Sequence, residues 1–460
     1  MDRQAYRSEL IDFYVGKHPS SREHHEGAEA VLLGGGSHNL RLFRPFPFYT
    51  GDARGATVTD IDGNTYVDFW QGHFANILGH NPRVVLDALR KELDSDRGLI
   101  TGFPTRQQEE LAELILTRVG AERIRFTTSG ALATMNAILL ARAFTGRRIV
   151  VKVAGGWHGG QPFALKGIHS YHNGLRSVES AGLPQCSDTD VVVTSFNDLE
   201  DLEEVFERHG DEIACVITEP MVGSGGLIFA DPAYLSRIRE LTREHGALLI
   251  LDEVITGFRF HAGALQSLYR VVPDLSVFGK AIGGGMPIAA VTGREDIMSL
   301  AAPGADPEKA VKFDGGTYSG HPGAMVAGVA FIRHLIEHED EIYPYIGHLG
   351  RIAREGIEER LAAYGFNARC GGDGSPVTEN SSLCAVHVLT DGAHSLRSPE
   401  QVADPARSDV ELRDEIFKLA MLREGFHVVH GYGGISFAHS EEQVRGSVDA
   451  FERIARRLTR

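Results

Sequence analysis

From Ile124 onward, short apolar runs recur between longer stretches with helical periodicity. The runs are Ile124–Phe126, Ile149–Val153, Val191–Val193, Ala214–Thr218, Ala247–Leu251, Leu275–Phe278 and Ile288–Val291. Their unbroken apolar character suits strands buried on both faces, and Leu132–Phe144 and Pro232–His245 read as helices between them. This alternation predicts an α/β fold, with a large domain built on a mostly parallel, seven-stranded sheet under helices. Ligands of such sheets bind beyond the carboxyl ends of the strands.

The flanks have a different pattern. Ala56–Phe69 reads as a hairpin, with Thr57–Ile61 and Thr65–Asp68 around the turn Asp62-Gly63-Asn64. Residues up to about Thr50 mix polar and charged groups with glycines at 34, 35 and 36, and predict an arm rather than a core. After the loop Gly315–Gly323 a long helical region spans Ala324–Ala363. A smaller α+β domain follows, with strand-like runs at Leu383–Leu389, Phe426–Val429 and Ile435–Phe437. A last helix starts at Ser440, where Gln443 completes a capping box. Gly371–Ser382 and Asp391–Ser408 read as exposed loops. The organisation expected is 1–65 as arm and hairpin belonging to the small domain, 66–325 as the large domain, and 326–460 as the small domain with its connecting helix.

Composition narrows the classes. With 42% hydrophobic and 23% charged residues the chain resembles an ordinary soluble enzyme, and its 460 residues allow two domains. A net charge of -16 argues against a nucleic-acid partner. The four cysteines (Cys186, Cys215, Cys370, Cys384) form no Cys-x-x-Cys pair and suit free thiols in a reducing compartment. No long uncharged apolar stretch occurs, so no membrane association is expected and the cytoplasm is the expected location. His24, His25, His73, His80, His158 and His321 do not fall into metal-ligand spacing with nearby acids, and no metal is expected.

The candidate chemistry lies at the ends of the apolar runs. Leu248–Leu251 ends on Asp252 and Glu253; Leu275–Phe278 ends on Gly279-Lys280, followed by Gly283-Gly284-Gly285. A strand-end carboxylate followed by a strand-end lysine is the pair that pyridoxal phosphate requires. The lysine forms the Schiff base and then shuttles a proton, while the acid pairs with the pyridinium nitrogen. A phosphate seat is available at Ser129-Gly130-Ala131, where amides and a hydroxyl meet a helix N-terminus; a plain N-cap is the alternative there. Trp157, in the glycine-rich loop Gly155–Gly160, could lie flat on the ring or pack against protein. The glycines follow Lys280 instead of preceding it, which excludes a nucleotide P-loop.

Together these stretches resemble the class III aminotransferase family of fold type I pyridoxal-phosphate enzymes, most nearly glutamate-1-semialdehyde aminomutase and related amino-acid transaminases. The matching stretches include Thr59–Asn64, Leu78-Gly79-His80, Arg125–Gly130, Gly156–Gly159, Thr218-Glu219-Pro220, Leu251–Arg259, Gly279–Gly285 and Gly316–Gly320. The resemblance implies that Lys280 carries the cofactor, that Asp252 meets its nitrogen, and that Val254 and Trp157 flank the ring. It also implies that Ser129, Gly130 and Ala131 hold the phosphate, that His158 and Glu219 belong to the cofactor's surroundings, and that Thr317 reaches the neighbouring subunit's phosphate in a homodimer with shared active sites. Arg41 falls where relatives bind a substrate carboxylate, with Arg44 as its rival, and His73 where relatives carry a substrate-contacting aromatic. The chain departs from the family at Ala131-Leu132, where Thr-Glu is usual. The implied activity is amino transfer from an amino acid or amine to a carbonyl acceptor. The alternatives are an intramolecular aminomutase, a racemase or epimerase, and, remotely, a non-catalytic cofactor-binding protein.

Overall fold

The computed structural model describes residues 2–99, 102–168 and 174–459. Its main feature is a seven-stranded sheet. Across it run Arg123–Thr127, Ala289–Gly293, Leu275–Phe278, Leu248–Glu253, Ile213–Thr218, Ile149–Val153 and Val191–Thr194. Only Ala289–Gly293 runs against its neighbours, pairing antiparallel with both Leu275–Phe278 and Arg123–Thr127. The other six strands therefore point their carboxyl ends to one edge.

Side-chain alternation divides the core of this sheet. Val150, Ile217, Leu248, Ile250, Val277 and Val291 pack on Ala133, Ala137 and Ile138 of the helix Gly130–Thr145. Val151, Val216, Leu249 and Leu251 face the other way, onto Leu202 and Phe206 of Leu199–His209 and Leu235 and Ile238 of Pro232–Glu244. A period of two along each strand produces this split. It also sends Asp252 to the side of Leu248 and Ile250, and Glu253 to the opposite side.

A second core gathers both ends of the chain. Tyr6, Leu10 and Tyr14 pack with Val58 and Tyr66 of the hairpin and with Leu349, Ile357, Phe417 and Phe451. The first fifty residues are thus not a bare arm: they form the helices Arg3–Lys17 and Pro19–Glu29. Their buried positions 6, 10 and 14 fall four apart, a stripe too narrow to stand out among polar neighbours. The hairpin occurs as expected, with strands Thr57–Asp60 and Thr65–Asp68.

Three further expectations are corrected. The region Ala324–Ala363 is not one helix: Pro322–Glu337 and Glu339–Ala362 meet at His338, whose backbone leaves helical geometry. Ile435–Phe437 is not a strand; the pairing to Leu383-Cys384 comes from Gly433-Gly434, which let the chain approach Phe69 closely. The two supposed exposed loops are partly interior, since Ser381 and Ser382 are buried and Pro399–Ala403 forms a capped helix. The terminal helix Glu441–Leu458 starts at the Ser440/Gln443 capping box as the sequence predicts. Among the described residues no helix is long and apolar enough to cross a membrane.

Asp68 joins the hairpin to the rest. Its buried carboxylate accepts from His80 Nε2 at 2.7 Å and His427 Nδ1 at 2.8 Å, and from the amides of Trp70 and Gln71. Burial alone would raise its pKa, but the hydrogen bonds from His427 and His80 outweigh burial and hold it well below the usual range. A depressed folded-state pKa supplies stability above the unfolded value, near ~3.9, and loses it as pH falls below that. Asp68→Asn should therefore lower the unfolding free energy by about 2–4 kcal/mol at pH 7. In urea titrations the gap to wild type should narrow below about pH 4; a gap of equal size at pH 7 and pH 3 contradicts this.

Candidate active site

Five candidate segments leave the same edge of the sheet. Ser129 follows Arg123–Thr127, Trp157 and His158 follow Ile149–Val153, and Glu219 follows Ile213–Thr218. Asp252, next to last in its strand, lies in register with Val277, so Lys280 begins its turn three residues beyond Asp252's neighbour. Residues from over 150 positions of sequence thus meet at one crevice, where parallel strands leave unpaired ends and helix N-termini.

Asp252 is 3% exposed and accepts from His158 Nδ1 at 2.8 Å and from the Val254 amide at 3.0 Å. His158 is buried too, and burial lowers its pKa despite the hydrogen bond and charge of Asp252. Its Nε2 has no partner among the described residues. Glu219 accepts from the amides of Trp157 and Gly223, both at 3.0 Å. Burial, then the charge of Asp252, push Glu219 up to about 8. Burial and the neighbouring carboxylate charge both favour the protonated form of Glu219.

Ser129, Gly130 and Ala131 lie at the start of a helix. Ser129 caps the helix Gly130–Thr145, and its Oγ accepts from Leu132 N at 3.4 Å. The N-cap role is therefore present, and among the described residues the amides of Gly130 and Ala131 make no hydrogen bond, as first-turn amides of a helix can offer an anion. Thr134 ties this helix to the next loop by donating to the His158 carbonyl at 2.6 Å. Glycine is required where the two meet: a Cβ on Gly159, at φ +86°, would lie 2.5 Å from Ala131 Cα. Val254 closes the floor, since a Cβ on Gly130 or Gly279 would come within 3.2 Å of its methyls. Trp157 is 40% exposed and stacks on no aromatic ring among the described residues.

Lys280 starts a short turn with φ +44°, a left-handed conformation that non-glycine residues adopt under constraint. Burial pulls its amine below the ordinary lysine value, against the charges of Asp252 and Glu219. His73 lies in a second left-handed run, Gln71 to Phe74, and burial together with the nearby Lys280 charge pulls it down to about 3. Arg41 is exposed at the end of the turn Asn39–Arg41, within electrostatic reach of His73. Arg44 is exposed as well. Thr317 is exposed on the loop whose Gly315 carbonyl accepts from the Thr128 amide at 3.2 Å.

Two supporting residues carried no role in the sequence reading. Lys152, fully buried and pulled down to about 7 by burial, donates to the carbonyls of Gly156 at 3.0 Å and Lys166 at 2.6 Å, holding the Trp157 loop. Arg259, also fully buried, donates to Ser382 Oγ at 3.1 Å and to the Phe74 carbonyl, and its charge adds to the lowering of Lys280. The signal for Lys152 was a lysine inside the apolar run Ile149–Val153.

The residues present fit pyridoxal phosphate: a buried carboxylate, a strained strand-end lysine, a helix N-terminus beside glycine, and an unstacked indole. The fold and the site together define a pyridoxal-phosphate-dependent enzyme of fold type I. The chain belongs to the aminotransferase class-III family, whose profile matches residues 43–375. It is 34% identical over 438 residues to glutamate-1-semialdehyde 2,1-aminomutase of Thermoplasma volcanium, covering 94% of this chain and 98% of that one. An omega-transaminase from Sphaerobacter thermophilus superposes with a TM-score of 0.85 at 33% identity, over 95% and 97% of the two chains. A transaminase solved with pyridoxal phosphate bound gives 0.82 at 30% identity, over 96% and 98%.

Gly159→Ala tests the join between loop and helix. The substitution places a methyl against Ala131 and adds strain of about 1–2 kcal/mol at positive φ. The apoprotein should bind pyridoxal phosphate about tenfold more weakly or worse by fluorescence titration, while its circular dichroism stays that of the wild type. Unchanged affinity contradicts the packing described.

Proposed function

We propose that this chain is an aminotransferase that moves an amino group from an amino acid or amine to a carbonyl acceptor, with Lys280 as cofactor-bearing and proton-carrying residue. The observation that carries the reading is the convergence of Lys280 and the Asp252–His158 pair at one strand-end crevice. The bound cofactor supplies an electron-withdrawing ring that lets the substrate carbon release a proton. Asp252, oriented by His158 and the Val254 amide, supports the protonated ring nitrogen. Ser129, Gly130 and Ala131 hold the phosphate, while Trp157 and Val254 bound the ring and Glu219 fixes the Trp157 amide. Lys280, lowered by burial, takes the proton and returns it at the neighbouring carbon. Arg41 and His73 face the substrate. His73 is neutral there and leaves the positive charge to Arg41.

The reading includes a homodimer. Thr317 and Tyr318 stand exposed beside the phosphate loop, and Val31, Leu33 and Phe103 are 82%, 95% and 68% exposed. Exposed apolar side chains of this size suit burial against a second copy. Four free cysteines suit the reducing cytoplasm. A second reading, the aminomutase, is favoured by the name of the Thermoplasma relative; it would need no separate acceptor.

Lys280→Ala should lower turnover about 10³-fold or more, as loss of both nucleophile and proton carrier demands. Near-normal turnover by this variant would refute the assignment. A panel of amino donors, each given with and without pyruvate, separates the two readings. Transfer requires the keto acid for multiple turnovers and yields a new amino acid, followed by chromatography. Sustained isomerisation of one compound without pyruvate identifies an aminomutase instead.

A further inference from the structure

A cavity of about 370 Å³ opens next to the crevice and is not accounted for by the chemistry above. Its walls are largely apolar, with Leu40, Phe43, Phe74, Leu227, Val402 and Val429 among them. Two links tie it to the reacting end. Phe74 follows His73, whose ring feels the charges of both Lys280 and His430. Gly223, also on the wall, donates its amide to Glu219.

Charge is concentrated on one side, on residues 413, 414 and 418. Arg413 and Asp414 form a two-pronged pair, Nε to Oδ1 at 2.9 Å and Nη2 to Oδ2 at 2.8 Å, and cancel. His387 is pulled down to about 3 by burial and the Arg413 charge, so it adds none. Lys418 adds a further basic group to this side. Its ammonium lies 4.1 Å from the centre of the Phe43 ring and donates no hydrogen bond to any described residue. Asp414 acts on it through charge, but both Asp414 oxygens are engaged by Arg413. Burial pulls the Lys418 amine down to about 8, still above neutrality, so it remains largely charged. A partly buried ammonium without an acceptor is unfavourable, and a ligand carboxylate would supply what the protein withholds.

We propose that this cavity receives the far end of the substrate and that Lys418 seats an anionic group there. On the amino-transfer reading, on which the word substrate rests, the amino compound handled carries a carboxylate separated from its amino group by an apolar body.

Calorimetry on the cofactor-loaded protein tests this with 4-phenylbutyrate and its neutral amide, neither of which can be turned over. The wild type should bind the acid at least tenfold more tightly than the amide. Lys418→Met should erase that preference and leave the amide affinity within about twofold, while Lys418→Arg should keep a preference of at least threefold. Equal binding of acid and amide by the wild type, or an undiminished preference in Lys418→Met beside a correctly folded Lys418→Arg, overturns the proposal. Because the readout is binding, it separates from the activity: no amino transfer from any donor would refute the proposed function, whereas the acid-to-amide ratio alone decides the role of Lys418.

Discussion

A carboxylate buried at the end of a parallel strand must be paired, and the centre of this protein is arranged around that requirement. Asp252 is almost wholly removed from water, where an unpaired charge would be strongly unfavourable. His158 and the Val254 amide meet part of the need. A protonated ring nitrogen would meet the remainder, and Lys280 stands within electrostatic reach of the same group. Glu219, raised first by its own burial and then by the charge of Asp252, turns its oxygens to loop amides instead. Cofactor and site are therefore electrostatically complementary.

Holding this arrangement has conformational costs, concentrated where the chain turns back from the sheet edge. Lys280, His73 and Phe74 adopt left-handed backbones that side chains ordinarily avoid. Gly159 occurs where any side chain would drive the loop off Ala131 in the helix Gly130–Thr145. Buried basic side chains brace these turns from behind: Lys152 grips the Gly156 carbonyl and Arg259 the Phe74 carbonyl. Strain of this kind persists only where surrounding packing over-determines it, which the two faces of the central sheet provide.

Legibility varied with the range of the interactions involved. The seven strands, the hairpin and the final capped helix could be read directly, because each depends on contiguous residues and on periods of 2 or 3.6. The N-terminal helices could not, because only Tyr6, Leu10 and Tyr14 face inward and their partners Phe417 and Phe451 lie some four hundred residues away. The break at His338 and the glycine strand Gly433-Gly434 were hidden for the same reason. In the site, the lysine, the acid and the glycine-rich loops announced themselves by sitting at the ends of apolar runs. Lys152 and Arg259 support them through backbone carbonyls, and their value depends on which carbonyls happen to lie above them.

By itself the sequence determined the α/β class, the strand ends and the residue types able to hold pyridoxal phosphate, since apolar periodicity and the chemistry of lysine, aspartate and glycine are local properties. It left Asp252 and Glu253 as adjacent acids at one strand end. Tertiary structure decided between their surroundings, because alternation along a strand covered on both sides sends one toward the capped helix and the other away from it. It alone decided that Ala289–Gly293 slots in reversed between its neighbours, and that the Lys418 ammonium borders an apolar cavity beside the crevice. Those outcomes follow from strand order and from the packing of distant segments, which no single stretch of chain encodes.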